Sequence, residues 1–171
     1  MVRIGCLAQL ASVIAPIMTG PGGGAWRQAR YHPFALTSRY GRGMVLRLPL
    51  RSPACETGAF GDVPVLDAVA VASDEGGVTL FAVNRDQATL VVVDVDVRSV
   101  PPLSAASHVA IWDDDPDAVN TLSSPDRVVP KTPGDPKLGG GRLQAVLPPL
   151  SWDRIRLSWQ TAVPGRRCMS S

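Results

Sequence analysis

The sequence predicts a mainly β protein, an antiparallel sandwich or barrel preceded by a strand–loop–helix leader. Beyond Gly43, short Val-rich runs of strand length alternate with turns that carry Gly, Pro and Asp. The 16 glycines and 16 prolines are scattered among those runs, so they act as turn punctuation and not as low complexity. Before Gly43 the pattern holds one strand and one helix, which is not a fold by itself. Such a βα unit is what remains when a larger α/β domain is cut near its end.

Taken in order, residues 3–8 form a short apolar run suited to a buried strand that ends at Gln9. Thr19–Gly24 is Gly-rich and reads as a loop. Ala25–Tyr40 has helix-compatible spacing through Trp26, Ala29, Tyr31, Phe34, Leu36 and Tyr40, with Gly41 as its stop. Pro33 marks a kink or an early turn of that helix, because it lacks a backbone donor. Strands are then expected at Met44–Leu50, Val65–Val71, Val78–Asn84, Leu90–Arg98, His108–Trp112, Arg142–Leu147 and Arg154–Leu157. In Leu90–Arg98 the alternation places Val91, Val93, Val95 and Val97 inward and Asp94, Asp96 and Arg98 outward. In the last strand Ile155 and Leu157 face inward while Arg154 and Arg156 stay wet. Asp74-Glu-Gly-Gly77 signals a hairpin. Asp113–Gly141 is polar and Pro-, Asp- and Gly-rich, hence an extended loop. The expected division is a leader over 1–42, a sandwich over 43–158 and a loose tail over 159–171.

Composition excludes several classes. Seventeen Lys and Arg against 15 Asp and Glu give a net charge of +2, and the arginines form no cluster suited to a phosphate backbone. No nucleic-acid partner is expected. Cys6, Cys55 and Cys168 are odd in number and match no metal spacing, which favours reduced thiols in the cytoplasm over a disulfide framework. The apolar run Cys6–Met18 after Arg3 has the outline of a signal peptide. Gln9 and Pro16 interrupt it, no A-x-A site follows, and it is too short to span a membrane.

Several segments resemble the end of the α-L-arabinofuranosidases of glycoside hydrolase family 51. In the leader these are Cys6-Leu-Ala-Gln-Leu10, Val13-Ile-Ala-Pro-Ile-Met-Thr19, Trp26-Arg-Gln28, Pro33-Phe34 and Ser38-Arg-Tyr-Gly-Arg-Gly43. The sandwich adds Asp62-Val-Pro-Val-Leu-Asp-Ala-Val-Ala-Val71, Val78-Thr-Leu-Phe-Ala-Val-Asn-Arg85 and Pro148-Pro-Leu-Ser-Trp152. The likeness runs in register over residues 2–157. It implies a (β/α)8 barrel with an appended jelly-roll sandwich that releases terminal L-arabinofuranose from polysaccharides with retention. Residues 3–9 then resemble barrel strand eight and 25–42 the last barrel helix. The acid/base and nucleophile glutamates, at the ends of strands four and seven, would lie upstream of Met1. The resemblance also implies that the sandwich borrows a strand from the enzyme's far amino terminus and that the enzyme forms homo-oligomers.

The residues agree with that placement. A retaining glycosidase needs two carboxyl groups about 5–5.5 Å apart, one protonated and one ionised. The glutamates present, Glu56 and Glu75, fall in expected turns, and no catalytic residue is assigned to this chain. Gln9 is the candidate substrate-binding residue: barrel sites lie at the C-terminal ends of strands, and a glutamine there can hydrogen-bond a sugar without competing for protons. The family places a glutamine at this position near the bound arabinose. Ser12 departs from the family's asparagine. Trp26, Tyr31, Phe34 and Tyr40 read as packing residues and Trp152 as a core anchor, in preference to sugar platforms. His32 and His108 lack a third ligand at metal-like spacing. Asp113-Asp-Asp-Pro-Asp117 lacks the alternation and glycine of a calcium loop and reads as a solvated turn. Gly22-Gly23-Gly24 precedes no Lys-Ser/Thr and is a loop, not a phosphate cradle. No metal or cofactor is expected. Two alternatives remain: a secreted, free-standing carbohydrate-binding sandwich, and a structural subunit that completes an upstream barrel fragment in trans.

Overall fold

The computed structural model describes residues 5–12, 14–74 and 76–159. In chain order the elements are β1 (Ile17–Thr19), β2 (Ala25–Arg27), α1 (Tyr31–Tyr40), β3 (Gly43–Leu46), β4 (Ala54–Thr57), β5 (Gly61–Pro64), β6 (Leu66–Ser73), β7 (Val78–Asn84), β8 (Val91–Asp96), β9 (Leu103–Ile111), β10 (Lys137–Gly139), β11 (Arg142–Leu147) and β12 (Ser151–Trp159). A five-stranded sheet in the order β3-β6-β7-β12-β9 faces a three-stranded sheet in the order β10-β11-β8, with antiparallel pairing throughout.

The alternation of each strand builds the core between the sheets. Leu66, Ala70, Val78, Leu80, Ala82, Ile155 and Leu157 come from the larger sheet, and Val93, Leu143, Ala145 and Leu147 from the smaller. Along β11 the odd residues are buried and Arg142, Gln144 and Val146 are exposed. Leu143, Leu147 and Ile155 are fully buried; each such side chain contributes about 1.5–3 kcal/mol through removal from water. Val91, Val95 and Val97 pack against this core while Asp94 and Asp96 face outward, as the pattern of that strand predicts.

Backbone geometry demands glycine where β6 turns into β7. Gly77 has φ +105°, and a Cβ there would lie 2.0 Å from the Leu157 carbonyl oxygen of β12. Asn84, wholly buried at the end of β7, closes the opposite end. Its Nδ2 donates to the carbonyls of Thr89 and Pro148 at 3.0 and 2.8 Å, and its Oδ1 accepts from Asp86 N at 3.0 Å. One side chain thereby joins the β7–β8 and β11–β12 connections.

The leader differs from its expected form. Among the described residues, 5–10 are exposed and join no strand ladder. A barrel strand draws its hydrogen bonds from neighbours on both edges, and here it has neither. The helix begins at Tyr31, not at Ala25, because Ala25–Arg27 pairs with Ile17–Thr19 as a hairpin. Pro33 sits in the first turn, where a missing donor is tolerated. The Gly41 amide ends the helix by donating to Thr37 O at 2.7 Å. A second hairpin, β4–β5, was not expected; it stands clear of the core, with Phe60 at its tip 83% exposed. Within the expected loop 113–141, β10 and a bridge between Lys131 and Ala110 add short pairings. Arg154 does not stay wet. It is 6% exposed, because the sheet face opposite the core is covered at that point by the end of α1. Trp152 lies on that same outer face, against Phe81 with ring centroids 5.7 Å apart, and not in the sandwich core. The tail from residue 160 lies outside the described residues.

Candidate functional site

Gln9 stands exposed on the irregular segment before β1, with a left-handed backbone at φ +56°. Ser12, three residues on, has φ +126°. Both are backbone conformations that a side chain disfavours. Glu56 lies in strand β4 rather than in a turn, is exposed, and pairs across the hairpin with Asp62. Glu75 lies outside the described residues. Asp94 and Asp96 line one groove together, but hydrogen bonds from Arg142 and Arg98 hold both carboxyls below the usual carboxylate range, whereas a retaining glycosidase needs one kept protonated and one ionised.

A buried asparagine of the long loop joins that loop to the β1–β2 hairpin of the leader. Asn120 Nδ2 donates to Arg27 O and to Val128 O, both at 2.9 Å, and its Oδ1 accepts from Val128 N at 2.7 Å. Its own carbonyl accepts from Trp26 Nε1 at 2.9 Å. The β1–β2 hairpin therefore docks through Trp26 and Arg27. His32, at the start of α1, is 9% exposed and its Nε2 has no hydrogen-bond partner. Desolvation pushes its pKa below the ordinary 6.5; Arg27 lowers it further, and Asp126 opposes both. Of the aromatic residues expected to pack this helix, Tyr31 receives the Arg27 guanidinium at 5.1 Å and Tyr40 meets β12, whereas Phe34 is 43% exposed.

A second polar cluster lies inside the sandwich. His108 Nε2 is 2.8 Å from Asp153 Oδ1, and Ser151 Oγ donates to Asp153 Oδ2 at 2.5 Å. These residue types suggest a hydrolytic triad, but the order is wrong. The aspartate stands between the serine and the histidine, so the imidazole does not touch the hydroxyl. All three are at most 3% exposed, which closes the cluster to substrate. It locks β9 to β12 across their register pair at Asp153 and Ala110. Sequence reading missed it because its members are 45 residues apart; only the pairing of β9 with β12 brings them together.

The aspartate run is engaged locally. Arg127 Nη2 reaches Asp113 and Asp115 at 3.3 and 2.6 Å, while Asp115 N and Asp117 N donate to Asp113 and Asp115. Those contacts, the Asp115 amide first for Asp113 and Arg127 first for Asp115, lower both carboxyl pKa values. Among the described residues no group of three or more His, Cys, Asp or Glu side chains could hold a metal ion.

One side of the sandwich is open. Among the described residues β8 pairs on one edge only, with β11. Beside it a groove of about 350 Å³ runs over Leu48, Leu66, Leu80, Val93 and Val95. An unpaired strand edge above an apolar floor is a place where another strand can add.

The family described as the α-L-arabinofuranosidase C-terminal domain matches residues 1–151. An intracellular exo-α-(1→5)-L-arabinofuranosidase of Streptomyces lividans is 46% identical over 155 residues, covering 91% of this chain and 23% of its own length. A protein of the same description from Bacillus subtilis is 39% identical over 161 residues, 94% of this chain and 32% of its own. The structure of a family 51 α-L-arabinofuranosidase from Bifidobacterium longum superposes with a TM-score of 0.80 at 36% identity, over 88% of this chain and 30% of that one. An α-L-arabinofuranosidase from Thermotoga maritima, in complex with arabinose, shares the fold at a TM-score of 0.73 and 20% identity. The chain spans 23% and 32% of the lengths of these two curated relatives. With its two-sheet sandwich, its leader and a match running from residue 1 to residue 151, the chain belongs to the α-L-arabinofuranosidase C-terminal domain family, found in the enzymes of glycoside hydrolase family 51.

Proposed function

We propose that this chain serves as the sandwich domain of an intracellular enzyme that releases terminal L-arabinofuranose from arabinose-containing polysaccharides. Its catalytic glutamates belong to the part of the relatives that this chain does not span. The observation that carries the reading is the family match over residues 1–151. The curated relatives are named intracellular, which supports a cytoplasmic setting, as do the exposed free thiols Cys6 and Cys55. In this reading residues 1–42 are the end of a barrel and the sandwich begins at 43. The core supports that boundary, since its buried members all lie between Leu66 and Leu157. Gln9 is the substrate-contacting residue, an exposed side chain at the end of what would be the last barrel strand. The partner of the open β8 edge is a strand from the remainder of the enzyme or from a second copy.

The test is direct. The purified chain is incubated with an aryl α-L-arabinofuranoside, and no turnover is expected. Turnover that copurifies with the chain and is abolished by Glu56→Gln would overturn the reading, since it would place the catalytic machinery here.

A further inference from the structure

Two guanidinium groups on the outer face of the larger sheet and a third from α1 gather on one ring. Arg154 lies 4.7 Å from the centroid of Tyr40, and Arg156 and Arg39 each lie 5.2 Å from it. Arg154 is only 6% exposed. Its Nε is buried without a hydrogen-bond partner, and no hydrogen bond among the described residues reaches its guanidinium. The ladder shows why no acceptor is near. Across from Arg154 stand Phe81 on β7 and Val109 on β9, and its neighbours along the strand on the same face are Trp152 and Arg156. Asp153, next in sequence, points to the opposite face and is occupied by His108.

Cation–π contact with Tyr40 offsets part of the desolvation but gives the buried Nε–H no acceptor, while the two Nη groups reach the surface, where a ligand can meet them. A buried charge left without a partner is strongly destabilising, and two like charges beside it add to the penalty. An arginine fork matches an oxyanion in shape and charge, and Arg156 and Arg39 extend the same positive field outward to the surface.

We propose that Arg154, Arg156 and Arg39 around Tyr40 form a binding site for a single oxyanion, carried either on a carboxylate or on a phosphate. Both share the chemistry that the site lacks: planar or tetrahedral oxygens able to accept from Arg154 while pairing with the other two. The site is separate from Gln9 and does not depend on the glycosidase reading.

The experiment follows the thermal midpoint of the full chain at pH 7 with sodium phosphate or sodium acetate replacing chloride at matched ionic strength. At a hundredfold excess over Kd, the bound anion raises Tm by about 5–10 °C. Arg154→Met should lose that increment and melt higher than the unsubstituted chain in chloride, because the unpartnered charge is gone. Arg39→Met, on an exposed helix position that tolerates change, should weaken the response, and Arg142→Met, a surface arginine paired with Asp94, should keep it whole. Response to acetate assigns a carboxylate of the kind an acidic side chain presents; response to phosphate alone assigns a phosphate group; either upholds the site. An equal increment in all four proteins would show a general salt effect and overturn it, as would no increment in any.

Discussion

Asn120→Ala tests whether the leader and the sandwich form one cooperative unit. The substitution removes the two hydrogen bonds from Nδ2 to Arg27 O and Val128 O and the one from Val128 N to Oδ1. At about 0.5–1.5 kcal/mol each, with the buried Val128 amide then left unpaired, the loss is about 3 kcal/mol. For a domain of this size that is about 6–12 °C in Tm. The bond from Trp26 Nε1 to the Asn120 carbonyl survives, so the hairpin is weakened and not released outright. Urea unfolding followed by circular dichroism gives the stability change, and tryptic cleavage at Arg27 and Arg30 reports the leader directly. The expected result is a lower midpoint with faster cleavage at both arginines. A stability change under about 0.5 kcal/mol, the size of an ordinary surface substitution, with unaltered cleavage would refute the idea that this asparagine holds the two parts together.

Gly77→Ala should destabilise by about 3 kcal/mol or more, since its Cβ would meet the Leu157 carbonyl at 2.0 Å in a backbone conformation that alanine avoids; a denaturant midpoint checks this. Asp153→Ala leaves His108 and Ser151 buried without their shared partner and should cost about 3 kcal/mol, read by the same melt. His32 has a folded pKa below 6.5, so the unfolded chain binds the proton first. Its contribution to stability is therefore present above about pH 6.5 and falls as pH drops from there toward the folded value. Stability measured at pH 7.5 and 5.5 should fall in the unsubstituted chain by more than in His32→Gln, and equal slopes would contradict the assignment.

How much of this was legible depends on whether a residue's fate is decided locally. Val78–Asn84 and Arg142–Leu147 were predicted to the residue, because glycines precede each strand and because both β7 and β11 bury apolar residues in a run or in alternation. The β1–β2 hairpin was hidden since Trp26 fits a helical spacing with Ala29 and Tyr31 as well as it fits a three-residue strand. The β4–β5 hairpin had no alternation to read, for it packs no face against the core. Arg154 misled for a different reason. Alternation correctly turned it away from Ile155's side, but that outer face is covered by Tyr40, a fact of tertiary packing that period-2 reasoning cannot hold. Of the candidate site, Gln9 came from resemblance alone, and Asn120, Asp153 and Arg154 acquire their roles only from chain segments tens of residues away.

Grafting places the chain in a complete enzyme. The region of the Streptomyces lividans relative that matches this chain is replaced by residues 1–159, and hydrolysis of an aryl α-L-arabinofuranoside is measured. The chimera should retain turnover, and Gln9→Ala within it should lower kcat/KM by about ten- to a hundredfold, the loss of one transition-state hydrogen bond. A chimera that folds and assembles but hydrolyses nothing would contradict the claim that this chain is the sandwich domain of such an enzyme.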